Sequence, residues 1–152
     1  MEKKKLNTGV KNVVELMVKS EKGFAGLYYK YSLLFENKLF WENLAKEEIE
    51  HAQWLNALLE SRDLVLVDVN IVTPNFIKVM NLALREEIES KKDISLKEAL
   101  IKSLHLEKTF LENSYFEIFH GSGREFEKVI ERLVSETKKH YKAIGAEMAK
   151  LA

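Results

Sequence analysis

One proline, Pro74, and six glycines are all the strong breakers in 152 residues. That scarcity limits the fold more than any other feature. Sandwiches and barrels need turn residues about every 8–12 positions, and this chain does not supply them. The apolar spacing points the other way. A first segment, about residues 8–36, carries Val10, Val13, Met17, Phe24, Tyr28, Tyr31 and Leu34, in steps of three, four and seven that trace one helical face. A second, about 38–61, repeats the pattern with Phe40, Leu44, Leu55 and Leu58. Only Asn37 lies between them, and so short a link predicts antiparallel neighbours.

Residues 62–74 read differently. LVLVDVNIV is β-branched and lacks helical spacing, so an extended crossover is expected, ending at Pro74. A shorter helix over 75–90 follows. Ser95 and Glu98 form an S-x-x-E capping box that opens a third long helix. Its stripe is Leu100, Leu104, Leu111, Ser114 and Ile118, and His120-Gly121-Ser122-Gly123 stops it. A fourth long helix, about 124–150, bears Phe126, Ile130, Leu133, Ile144, Met148 and Leu151. The expectation is a single all-α domain over 1–152: an antiparallel four-helix bundle with one long crossover between helices 2 and 3, the connectivity of ferritin-like folds. An open helical array is the alternative.

Several core positions hold polar residues, which is costly unless they are compensated. In the second helix Glu48 and His51 fall in register with Leu44 and Leu55. Three residues apart, they can converge on one point, in the Glu-x-x-His arrangement of di-iron carboxylate bundles. Glu21 falls between Met17 and Phe24, Glu107 between Leu104 and Leu111, and Thr137 and His140 between Leu133 and Ile144. Each long helix thus aims polar groups at the middle. Oxygen and imidazole donors suit iron or manganese and also accept zinc. Tyr28 and Tyr31 share the inward stripe, where each either packs in the core or hydrogen-bonds a ligand carboxylate.

An internal duplication supports this reading. LAKEEIEH (44–51) aligns without gaps on LVSETKKH (133–140), pairing Glu47 with Glu136 and His51 with His140. Glu21-Lys22-x-Phe24 with Tyr29 aligns likewise on Glu107-Lys108-x-Phe110 with Tyr115. Two copies of one helix pair would set two half-sites face to face.

Charge and cysteine content narrow the function. Twenty-four basic and 24 acidic residues cancel, without the basic excess that nucleic-acid binding demands. The absence of Cys excludes disulfides, thiol catalysis and any Cys-ligated metal. No apolar run reaches the roughly 18 residues of a membrane span, and MEKKKLN has no apolar region behind its charges. A cytoplasmic protein without nucleic-acid or membrane partners is expected.

Glu21, then Glu48-Ile49-Glu50-His51, Glu107 and His140, with KEEIEHAQWL and EALIKSLHLEK around them, resemble the rubrerythrin branch of the ferritin-like superfamily. The resemblance covers the four long helices, about 8–150 apart from the crossover. It implies two iron ions held by one Glu from each of helices 1 and 3 and a Glu-x-x-His on helices 2 and 4. It also implies an oxidoreductase of the peroxidase or ferroxidase type, acting on peroxide, dioxygen or Fe(II), with an external electron donor and a homodimeric assembly. No catalytic residue is expected beyond the ligands Glu21, Glu48, His51, Glu107, Glu136 and His140. The sequence departs from the pattern at Thr137, where the fourth-helix Glu should stand, so the metal nearest His140 is expected to bind the more weakly unless neighbouring Glu136 swings in. It departs again at Leu104, where the family often carries an extra Glu. The cysteine-ligated rubredoxin-like domain of full-length members has no counterpart in this Cys-free chain. A degenerate bundle, kept as a metal-binding or interaction module without catalysis, is the alternative function.

Overall fold

Residues 13, 14, 17, 20, 21, 24, 27, 28 and 31 form one unbroken buried stripe, and the helix that carries it organises the molecule. A computed structural model describes residues 2–60, 72–112 and 124–151, and all of their regular structure is helical. The elements are α1 (Glu2–Leu34), α2 (Lys38–Glu60), α3 (Val72–Glu89), α4 (Leu96–Phe110) and α5 (Arg124–Ala149). The all-α expectation is met. Among the described residues no helix is long and apolar enough to cross a membrane.

Helix boundaries differ from expectation where local chemistry allows it. The first helix begins at Glu2 rather than near residue 8, since the Lys, Glu and Leu of the opening residues are good helix formers. The third starts at Val72, inside the expected crossover, so Pro74 falls in its first turn, where a missing N–H costs nothing. The rest of that crossover lies outside the described residues, as do Ser114, Tyr115, Ile118 and the expected stop at 120–123. Ser95 is the N-cap of α4, with Oγ accepting from the Glu98 N–H at 3.1 Å. After Phe110 the chain loosens into a π-turn at Leu111 and Glu112.

Two registers differ from expectation by one residue. In α2 it is Trp41, not Phe40, that is wholly buried, giving the inward series Trp41, Leu44, Glu48, His51, Leu55, Leu58. Phe40 packs edge-on against Trp41 at 5.1 Å. In α4 Ser103 takes the buried place expected of Leu104, with its hydroxyl donating to the Ala99 carbonyl at 2.7 Å. That local bond removes the cost of an inward hydroxyl.

Helix pairing follows from cross-helix contacts. The short link Phe35–Asn37 turns α2 back along α1. Asn81 of α3 accepts from Ser20 at 2.5 Å and donates to the Leu16 carbonyl at 3.2 Å. Lys30 donates to the Glu87 and Ser90 carbonyls, satisfying acceptors at the α3 C-terminus and complementing its dipole. Contacts that advance together along both helices make α3 parallel to α1. A Cβ on Gly23 would stand 3.1 Å from Leu84 Cδ1, so the missing side chain is what lets α3 lie this close. Tyr28 meets Glu107, and Phe24 meets Phe110 edge-on at 5.8 Å, so α4 runs antiparallel to α1. Asn37 meets Glu147 and His51 stacks on His140, so α5 runs antiparallel to α2.

Candidate metal centre

Apart from Ser20, Ser32 and Ser103, the buried polar side chains of the described residues gather at one level between α1, α2, α4 and α5. Glu21, Glu48, His51, Glu107, Thr137 and His140 are all buried there, each at most 3% exposed. Two pairs need only helical spacing to be neighbours: Glu48 with His51, and Thr137 with His140. The rest is supplied by packing.

Glu48 is the centre. Its Oε1 lies 2.7 Å from His140 Nδ1, and its Oε2 lies 3.3 Å from His51 Nδ1. One carboxylate thus faces two imidazoles from different helices. Glu21 Oε2 approaches His51 Nδ1 at 3.6 Å, and Glu107 Oε1 approaches His140 Nδ1 at the same distance. The ring planes of His51 and His140 stack. Ligand atoms of Glu48, His51 and His140 all fall within 4.8 Å of one another, close enough to share an ion.

Hydrogen bonds between carboxylates and imidazoles tie this arrangement together. Burial raises the Glu48 carboxyl well above the usual carboxylate range, and the charges of Glu21 and Glu107 raise it further. Burial would lower the histidines, but the facing carboxylates win: Glu107 and Glu48 push His140 up to about 11, and Glu21 leads in raising His51. Tyr28, raised well above its usual value by burial and by Glu107, stays a phenol and donates to Glu107 Oε1 at 2.5 Å. This tyrosine fills both roles open to it, since its ring also packs against Phe24 and Trp41. Tyr31 takes only the packing role, its ring 5.0 Å from Trp41 and its buried hydroxyl without a partner among the described residues.

Glu136 acts on the cluster through its charge, which helps to raise His51, and not through a hydrogen bond among the described residues. Its half-buried carboxylate pairs with Lys139 at 3.2 Å because its backbone position on α5 is one residue, about 100°, off the inward stripe. Thr137 holds that stripe, with its hydroxyl donating to the Leu133 carbonyl at 2.8 Å. Instead Glu47, which the spacing did not single out as a site residue, reaches His140 from α2, with Oε2 at 2.5 Å from Nε2. The signal for it was the duplication, where Glu47 aligns with Glu136. Both carboxylates line a groove of about 220 Å³ beside His140.

Aromatic walls flank the cluster on two sides. On one side Trp41 packs against Tyr28 and Tyr31 and donates through Nε1 to Asn37 at 2.9 Å. On another, Trp54 lies 5.1 Å from His51, and the Arg132 guanidinium covers Trp54 at 4.0 Å. Comparison with protein-family models, curated proteins and solved structures gives no significant match.

Proposed function

We propose that this chain is a ferritin-like four-helix bundle, with α3 lying in the crossover between its two helix pairs, that binds two iron ions and acts as an oxidoreductase on peroxide, dioxygen or Fe(II). One observation carries the reading: the two oxygens of buried Glu48 face two different histidines, flanked by Glu21 and Glu107. The donor set fits. Three carboxylates with neutral histidines carry three negative charges, which two divalent cations would offset. Glu48 would be shared between the ions, with Glu21 and His51 on one and Glu107 and His140 on the other. Bound iron would supply electrons to an oxidant; Tyr28 would hold Glu107 in place, and the aromatic walls would exclude bulk water. The same reading expects an external electron donor and a homodimer. Manganese or zinc would fit the same donors.

Thr137 favours a second reading, a metal-binding or interaction module without catalysis, since its hydroxyl is spent on its own helix and adds no carboxylate. Anaerobic Fe(II) titration with metal counting, followed by peroxide, separates the two. Two ions per chain and rapid ferric formation are expected. Binding without turnover supports a metal-binding module, and no binding by wild type removes the oxidoreductase and leaves only an interaction module.

A further inference from the structure

The two histidines differ in what stands behind them. Both turn Nδ1 toward the buried carboxylates. His140 turns Nε2 outward to Glu47, at 2.5 Å. The Nε2 of His51 is buried and has no hydrogen-bond partner among the described residues. An imidazole that gives one nitrogen to a metal carries its proton on the other, and a carboxylate accepting that proton fixes the tautomer, the ring plane and the donor strength. Glu47 is placed to do this for His140, from outside the cluster: its side chain is 46% exposed.

We propose that Glu47 is a positioning residue of the metal centre, holding the Nε2 proton of His140 so that Nδ1 is presented to a divalent cation; this rests on the metal-binding reading above. The duplication sharpens it. Glu136 and His51 are the counterparts of Glu47 and His140, yet Glu136 pairs with Lys139 and acts on His51 only through its charge, and among the described residues nothing accepts from His51 Nε2. His140 is therefore the better-held imidazole. That reverses the order expected from Thr137 alone.

Zn(II), which is diamagnetic, is the probe. Affinity is read by competition with a chromophoric chelator, and the bound nitrogen by long-range ¹H–¹⁵N correlation, in the full-length wild type, Glu47→Ala, Glu47→Gln and Glu48→Ala. In the wild type, His140 should bind through Nδ1 and keep a slowly exchanging Nε2 proton. Glu47→Ala should weaken Zn(II) by about 10–100-fold and speed that exchange. Glu47→Gln, whose amide oxygen still accepts the proton, should recover most of the loss. Neither change opens the core, because Glu47 stands at the groove wall. Coordination through Nε2, wild-type affinity in Glu47→Ala, or a Gln variant as weak as Ala would each overturn the positioning role, the last by making Glu47 itself a ligand. If Glu48→Ala binds Zn(II) as tightly as wild type, or wild type binds none, the metal-site reading falls as well; if only Glu47→Ala is silent, that reading survives.

Discussion

His51 on α2 and His140 on α5 stack with ring centroids 5.2 Å apart and planes inclined by 21°. Two imidazoles that both hold protons firmly would repel at this distance. The stack persists because Glu48 bonds to both rings while Glu21 and Glu107 stand behind it. Buried carboxylates and imidazoles thus share one set of hydrogen bonds. On the metal-binding reading proposed above, a divalent cation would compete with protons for the same lone pairs, so pH and metal would act on the fold through one set of atoms.

Metal-free stability should fall as pH rises. The folded value of His140 is raised to about 11 from 6.5, so its contribution is complete below about pH 6.5 and is lost as pH climbs through about 11. Glu48 is also raised, from 4.5, and shifts stability in the same direction from a lower starting pH. Each proton retained by the fold and lost by the unfolded chain gives a slope of up to about 1.4 kcal/mol per pH unit. Thermal unfolding of chelator-treated protein at about pH 6, 8 and 10 should show a falling midpoint. A midpoint that rises over this range contradicts the proton-held cluster.

Metal should stabilise the fold by mass action, by roughly 3–4 kcal/mol at a hundred to a thousand times the dissociation constant. Glu48→Ala should abolish most of that gain, since it removes the carboxylate that faces both histidines. The measurement is the thermal shift with and without Fe(II) under anaerobic conditions. Equal shifts in wild type and variant would remove Glu48 from the site.

Thr137→Glu should reverse sign with metal. Without it, a further buried carboxylate beside Glu48 and Glu107 should destabilise the fold by a few kcal/mol. With iron, the added carboxylate restores Glu-x-x-His spacing on α5, so the second ion should bind more tightly than in wild type and the near-ultraviolet band of an oxo-bridged ferric pair should strengthen. Destabilisation in both states would mean that position 137 does not face the ions.

Tyr28→Phe removes the 2.5 Å bond to Glu107 and little volume. Bonds to charged groups contribute about 1.5–3 kcal/mol, so the urea midpoint of the metal-free protein should drop accordingly. An unchanged midpoint would reduce Tyr28 to core filler.

Much of this was legible in the chain. The middle of the α1 and α5 stripes, the capping box at Ser95 and the inward register of Glu21, Glu48, His51, Glu107 and His140 follow from a period of 3.6 and a shortage of breakers, which are local properties. Leu34 and Leu151, expected on those stripes, are exposed, because at the helix ends no neighbouring helix covers them. Other features depended on how the helices rotate against one another. Trp41 rather than Phe40 fills the core, and Ser103 rather than Leu104, because a one-residue offset between adjacent positions is settled by the neighbouring helix. The same holds for the two aligned carboxylates. Glu136 and Glu47 are indistinguishable by spacing, each lying just before an inward position and four before its histidine. Only the packing of α2 against α5 sends Glu47 across to His140 and leaves Glu136 to Lys139. The sequence sets which face of each helix is inward; which side chain crosses an interhelical gap depends on the rotation and separation of two helices distant in sequence, and no local pattern encodes that.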